Sequence, residues 1–471
     1  MPLVLVSILL PLAAGALLLM LPRSDRALSR LLGTVVAAIT FVTVLVGGTQ
    51  DWSLHWLSRP FVSAFHFGAT PISFWIALLL TLCTTCAIAA TRVERMRDFV
   101  ALLLALEGTM LGLFLSRDLL VFALFWDLML VPVFFALVGW GEHPATAWRY
   151  FIYNFAGGLT LLLATAAFGV IYGTTDVIGL PGNALVGGWA PWIFAGFAFA
   201  FLVKTPVWPL HTWMPPTYAG LPSTMTSVVS GVQSKAGLYG FLVIAMAMMP
   251  GILYRYATPL IVLALVSLVY GALIALVQND VKRIVAYSSL SHLGLIVLAI
   301  ASENRLALAG ALVYIIAHGL FSAVLFLLLG YVEEREETRA LPRLGGLGWS
   351  NPRLSGALCI AALAALGLPG LAGFAGELLI LIGVYQSGYV WPAIIALVAI
   401  VLASAYMLRL YQGIMNGPAR TDLPVRPDLT WIEGLAVVPL LAALVLVGVY
   451  PKPLLDNTAV VVRAVQGAYH P

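Results

Sequence analysis

Of 471 residues, 62% are hydrophobic and only 9% charged, with a net charge of +4, where a soluble globular domain carries roughly 25% charged residues. That balance excludes a cytosolic enzyme, a disordered chain and a nucleic-acid binder, each of which needs far more polar surface. A bilayer-spanning helix uses about 20 mainly apolar residues, so the sequence reads as an all-α polytopic membrane protein.

In chain order, apolar stretches bounded by charges or Pro/Gly clusters fall at 3–21, 28–48, 72–90, 99–115, 118–140, 150–172, 190–210, 223–249, 257–277, 284–301, 307–331, 354–382, 390–413 and 432–450, predicting about fourteen transmembrane helices. The first lacks a basic leader and a small-x-small cleavage site, and reads as a retained span. Cys83 and Cys86 form a C-x-x-C inside the third stretch with no second Cys or His pair nearby. They read as small residues on a membrane helix rather than a metal or redox site. Counting Lys and Arg on alternating sides gives sixteen against six. The crowded side should face the cytoplasm and both termini the other way.

Two basic residues, Lys204 and Lys235, and three acids, Glu107, Asp127 and Glu377, fall within spans. Charges at that depth are expensive and by default mark ion pathways or proton relays. Lys204 lies in FLVKTPVWPLHTWMPP, where Pro206 and Pro209 each remove a backbone donor and clash with the preceding turn, so the helix should break just after the lysine. Lys235 lies between Gly231 and Gly237, which allow close helix approach. Asp127, in LFWDLMLVPVFF, is the candidate carboxylate to hold or release a lysine proton. Glu377 follows Pro369–Gly370, a second break beside a buried charge. Two such breaks in corresponding places point to inverted repeats. The chain then divides into N-terminal helices (1–98), a first repeat (99–249), a second repeat (257–413) and a C-terminal loop with the last helix (414–471). His211, His292 and His318 lie between the first lysine and Glu377 in chain order. With Glu107 they are candidates for a relay, since imidazole accepts and releases protons near neutral pH. No phosphate loop, nucleophile elbow or dinucleotide fingerprint occurs, and no cofactor or metal in this chain is expected.

At these same residues the chain resembles the antiporter-like proton-translocating subunits of respiratory complex I and of the Mrp sodium/proton antiporters. LALEGTMLGLFLSRDLLVFALFWDLMLVPVFF, RYFIYNFAGG, FLVKTPVWPLHTWMP, YGALIALVQNDVKRIVAYSSLSHLG, HGLFSAVLFLL and LPGLAGFAGELLIL carry the likeness, in family order. Glu377, where most antiporter-like subunits carry lysine, resembles the M-type chain rather than the L- and N-type chains. The resemblance implies two inverted five-helix repeats, each with a broken helix and a half-channel. It implies Asp127 as the carboxylate paired with Lys204, Lys204 as central proton carrier, Lys235 as connecting lysine and Glu377 as terminal carrier. It further implies a proton-translocating subunit of an NADH:quinone oxidoreductase in a bacterial inner membrane. NADH, FMN, iron–sulfur clusters and quinone would then sit in partner subunits, beside L-, N- and K-type membrane chains. Two departures stand out. Asp127 is one methylene shorter than the family's usual glutamate, and Pro216, Tyr218 and Gly220 stand where the family usually has Asp, His and Glu.

The same lysines would serve an Mrp-type antiporter, a hydrogenase or formate hydrogenlyase subunit, or a bicarbonate-uptake complex. Two readings lie outside this class. A stand-alone solute transporter would show a polar, substrate-sized pocket at the midplane, and a structural scaffold would tolerate neutral substitutions of Lys204 and Lys235.

Overall fold

The computed structural model describes residues 1–20, 22, 25–47, 50–177, 187–418 and 427–456. Arg23, Arg420, Arg426 and Arg463 of the Lys/Arg count, and much of the C-terminal segment 414–471, lie outside the described residues. The chain is a multi-span membrane protein: among the described residues eleven helices are long and apolar enough to cross a bilayer, and four shorter apolar helices accompany them. Each of the fourteen apolar stretches contains helix.

The order begins with α1 (Leu3–Leu18) and α2 (Arg26–Gly47), then a β-hairpin, β1 (Asp51–Leu57) paired antiparallel with β2 (Ser63–Gly68). The hairpin is a short extramembrane addition to the all-α membrane architecture that the sequence predicts. Its polar connector cannot enter the bilayer, and Trp52, Leu54 and Trp56 alternate with Ser53 and His55 at the two-residue period of a strand. Arg117 pins it by donating to the Gly68 and Ala69 carbonyls at 3.0 and 2.7 Å. The buried Asp118 accepts from Ser63 and Thr175.

Next come α3 (Pro71–Ala90), α4 (Met96–Leu115), α5 (Leu119–Leu128), α6 (Leu130–Trp140) and α7 (Pro144–Tyr172). The split between α5 and α6 was not legible as a break, yet Pro132 has no N–H to offer the Leu128 carbonyl. Asp127 therefore sits at an interruption. α8 (Ala190–Lys204) stops at Lys204, and after a turn containing Pro206 and Pro209 the chain resumes as α9 (Met214–Gly220). α10 (Ser223–Ala245) widens into π turns at Val229–Gln233 and Phe241–Ala245, on either side of Lys235. Such widened turns recur at functional positions. It packs so tightly on the end of α8 that a Cβ at Gly237 would strike the Phe201 carbonyl, while Cys83 of α3 lies beside Gly231.

α11 (Ala257–Val277), α12 (Val281–Ala301) and α13 (Arg305–Glu336) follow. Asp280 caps α12, accepting from the Lys282 and Arg283 amides at 2.9 and 3.1 Å, which satisfies donors that the first helical turn leaves free. The stretch at 354–382 is two helices, α14 (Pro352–Ala365) and α15 (Ala372–Gln386), separated by a turn in which Gly367 and Gly370 adopt φ of 76° and 91°. α16 (Val390–Met415) and α17 (Trp431–Val449) complete the order. α13 is buried along its whole apolar window, with α10 and α12 almost as enclosed, whereas α2, α16 and α17 keep most of theirs exposed. Apolar side chains such as Val42, Val401 and Leu446 form that outer surface, as expected where lipid is the solvent.

At the Arg-rich end, ion pairs tie helix termini together. Arg335 binds the buried Glu433 at 2.9 Å, Arg92 reaches the same carboxylate at 3.2 Å, and Lys282 pairs with Glu333 at 2.7 Å. Arg339 joins Asp280 at 2.8 Å and also Glu142.

Candidate functional site

Two polar clusters lie inside the helix bundle. The first surrounds Lys204, which is 1% exposed. Because α8 ends at this residue, its ammonium points among side chains of α5 and α7. It donates to Asn154 Oδ1 at 3.2 Å and lies 5.8 and 5.9 Å from the ring centroids of Trp126 and Tyr150, close enough for cation–π attraction. Tyr150 and Asn154 are one turn apart on α7, so both face the lysine. The Asn154 amide also donates to the Tyr150 carbonyl at 2.8 Å. Tyr150 in turn shares hydrogen bonds with Gln233 of α10 at 3.0–3.2 Å, and Gln233 donates to the Met129 carbonyl at 3.1 Å.

Asp127 is half-buried, and its Oδ1 has no hydrogen-bond partner. Among the described residues it forms no ion pair with Lys204 within 4.0 Å. The pairing implied by the family likeness is therefore not a contact pair. The shorter side chain turns against α7 at Gly158, where any Cβ would collide with its carboxylate.

The second cluster begins at Lys235, fully buried on α10. Its amine reaches the Ser230 carbonyl at 2.5 Å, the Ser234 hydroxyl at 3.3 Å and His318 Nδ1 at 2.7 Å. The His318 ring stands edge-on to His292, with centroids 5.7 Å apart. His292 faces Tyr314 at 5.9 Å and lies 3.4 Å from the Tyr406 hydroxyl, which donates to Ser288 at 3.1 Å. Tyr314 donates to Glu377 Oε1 at 2.6 Å. Glu377 is 5% exposed and lies under the α14–α15 break. A Cβ at Gly367 would strike its carboxylate, and the positive φ there disfavours any side chain as well. Lys235, His318, His292, Tyr314 and Glu377 thus form a row across four helices, made of groups that accept and release protons.

Glu107 and His211 do not join this row. Glu107 is fully buried on α4 with neither carboxyl oxygen hydrogen-bonded. His211, in the turn after α8, packs edge-on against Tyr270 at 5.2 Å, and its Nδ1 has no partner. Sequence reasoning passed over Tyr150, Asn154, Gln233, Tyr314 and Tyr406. Their signal was weak: neutral polar groups in the interior of otherwise apolar spans.

Cavities open at opposite ends of α4. One of about 250 Å³ lies among Arg92, Glu142, Ser223, Lys282, Tyr331 and Glu334 at the Arg-rich end. The other, about 270 Å³, is lined by Thr70, Ser116, Arg117, Asp118 and Tyr239. Ser223, Thr224 and Tyr331 of the first hold buried hydroxyls without partners, which suits hydration.

Comparison with known proteins places these features in context. Residues 116–403 match the family described as NADH:quinone oxidoreductase/Mrp antiporter, TM. NADH-quinone oxidoreductase subunit M of Rhodobacter capsulatus is 32% identical over 490 residues, spanning 98% of this chain and 96% of that protein. A chain of respiratory complex I from Thermus thermophilus with bound NADH superposes with a TM-score of 0.88 at 30% identity, over 98% of this chain and 99% of its own. A chain of the Mrp complex from Dietzia sp. DQ12-45-1b reaches the same TM-score at 21% identity, over 100% and 98% of the two chains, a likeness of fold.

Proposed function

The chain belongs to the NADH:quinone oxidoreductase/Mrp antiporter family of membrane subunits, and from that membership we propose that it is the M-type proton-translocating subunit of a complex I-type NADH:quinone oxidoreductase. The observation that carries the proposal is the buried row from Lys235 through His318, His292 and Tyr314 to Glu377, flanked by the Lys204 cluster. Such groups inside a membrane bundle suit stepwise proton transfer better than solute binding.

In this reading Lys204 is the central carrier, with Asp127 setting its charge from a distance and Asn154 holding the ammonium. Lys235 and the two histidines hand the proton on, and Glu377, held by Tyr314, is the terminal carrier. Glu107 and His211 lie outside the row. Electron transfer belongs to partner subunits, where NADH, FMN, iron–sulfur clusters and quinone reside, and the neighbouring membrane chains are of the L, N and K types. The Arg-rich end faces the cytoplasm of a bacterial inner membrane and both termini face away. Blocks 99–249 and 257–413 are the two inverted repeats of the same proposal.

Purifying the tagged chain from native membranes and identifying its companions tests the assembly. Flavin- and iron–sulfur-bearing subunits are expected; a set of cation-antiporter chains without them would replace this reading with the Mrp-type one. For the site, Asp127→Glu is expected to retain proton translocation in the assembled complex. The added methylene lets the carboxylate clear Gly158 and extend toward Lys204. Severe loss in a proton-uptake assay would mean that the pocket is built around the shorter acid.

A further inference from the structure

We propose, resting on the proton-path reading above, that Arg339 is a positioning residue. It ties the downstream halves of two interrupted helices, α6 and α9, to the start of α12, and so keeps the Lys204 cluster in register with the helix that carries His292.

An unbroken helix fixes each turn on the one before it through its own hydrogen bonds. An interruption removes that link, since the helix ends on either side carry backbone groups without intrahelical partners. The first cluster has two interruptions. α5 gives way to α6 just after Asp127, and α8 ends at Lys204 before α9 resumes at Met214. α9 has only seven residues, too few to be stable by itself. Contacts at the far end of each downstream half must therefore help to set its place.

Both far ends meet one guanidinium. α6 ends at Trp140, and two residues later Glu142 accepts from Arg339, at Oε2 from Nη2 at 2.8 Å and at Oε1 from Nη1. At the end of α9 the Ala219 carbonyl accepts from Nη1 at 2.8 Å. The remaining edge, Nε, lies 2.8 Å from Asp280 Oδ2, while Oδ1 of the same aspartate caps α12. The backbone of Arg339 is fixed at that place too. Its carbonyl accepts from the Val281 amide at 3.0 Å, and the Leu341 amide donates to the Asn279 carbonyl at 2.7 Å. A planar fork of five N–H donors serves three such acceptors in set directions, which a single ammonium does not. Lys282 adds only a longer contact, 3.4 Å to the Leu221 carbonyl.

The Arg339 side chain is 20% exposed and that of Glu142 43%, and ion pairs so open to water contribute little to stability. What the contacts supply is placement. Transfer between groups on different helices depends steeply on their separation, and a misplacement of about 1 Å can cost about 10²-fold.

The test uses the assembled complex in its native membranes, reading protons moved per NADH oxidised alongside the amount of complex. Arg339→Gln is expected to lose protons per NADH while the complex accumulates normally; a merely structural residue would lower the amount of complex and leave the ratio. Glu142→Ala, which cuts one arm from the other side, is expected to lower the ratio as well. The double variant should be no worse than Arg339→Gln alone, because both changes break one tie. Lys235→Met serves as the reference. An assembled Arg339→Gln complex with the wild-type ratio overturns the tie, and so do losses that simply add in the double variant. If Lys235→Met is defective in either case, the proton path stands without the tie. If Lys235→Met keeps the wild-type ratio, the path falls and the tie with it. Should Arg339→Gln fail to assemble, Glu142→Ala decides: a lowered ratio supports the tie and a wild-type ratio overturns it.

Discussion

Lys204→Ala in the assembled complex is expected to cut NADH-driven proton translocation by about tenfold or more, with a parallel fall in coupled quinone reduction. The scale follows from positioned acid–base groups, which contribute roughly 10²–10⁴-fold to the steps they serve. The lysine is the one positive group in the first cluster. Asn154 holds it at 3.2 Å, while Trp126 and Tyr150 enclose it. Water cannot easily replace the amine in a pocket that is 1% exposed. Alanine also leaves a void and an unpaired Asn154 oxygen, so Lys204→Met, closer in volume, separates the two effects and should show the same loss. A wild-type proton-to-electron ratio in either assembled variant would remove Lys204 from the path.

Glu377→Gln is expected to have an effect of the same order with less disturbance of structure. The amide keeps the shape of the acid, and its oxygen can still accept the Tyr314 hydroxyl proton, which now bonds Oε1 at 2.6 Å. What it loses is the capacity to take up and release a proton. Complex should therefore accumulate normally while translocation fails, as read by proton uptake and by the quantity of complex in the same membranes. If translocation persists at the wild-type level, the row ends elsewhere and Glu377 is only an anchor for Tyr314.

Much of this organisation was legible in the sequence because proline, glycine and charge act locally. Pro206 and Pro209 announce the end of α8, and Pro369–Gly370 announces the gap before α15. Pro132 carried the same message for Asp127 but was hidden in a long apolar run. The π turns around Lys235 leave no local mark, since they arise from how α10 packs on its neighbours. The hairpin was lost because a hydropathy scan reads its connector only as not apolar, although Trp52, Leu54 and Trp56 alternate. At the site, charge picked out Lys204, Lys235 and Glu377, but it treated Glu107 as their equal. Chain order holds no information about which way a side chain faces around its helix, and that separates Glu107, without partners, from Glu377, bonded to Tyr314. The tyrosines were missed for the converse reason: a hydroxyl has no formal charge to count.

The direction of the row has an electrical consequence. From Lys235 to Glu377 it passes through α10, α13, α12 and α15, with Lys235 touching His318 at 2.7 Å and Tyr314 touching Glu377 at 2.6 Å. Along α13, the one helix that supplies two members, His318 and Tyr314 are four residues apart, a displacement of about 6 Å along the axis. The row therefore runs mostly in the plane of the bilayer. Moving one charge through the full membrane potential requires about 2.3 kcal/mol per 100 mV, but only displacement along the membrane normal counts toward it. A proton handed from Lys235 toward Glu377 does little work against the voltage. Most of that load falls on the steps that bring protons in from one face and let them out at the other, since about 6 Å is roughly a fifth of a hydrocarbon core of about 30 Å, so membrane potential should slow uptake and release more than the hand-over between helices.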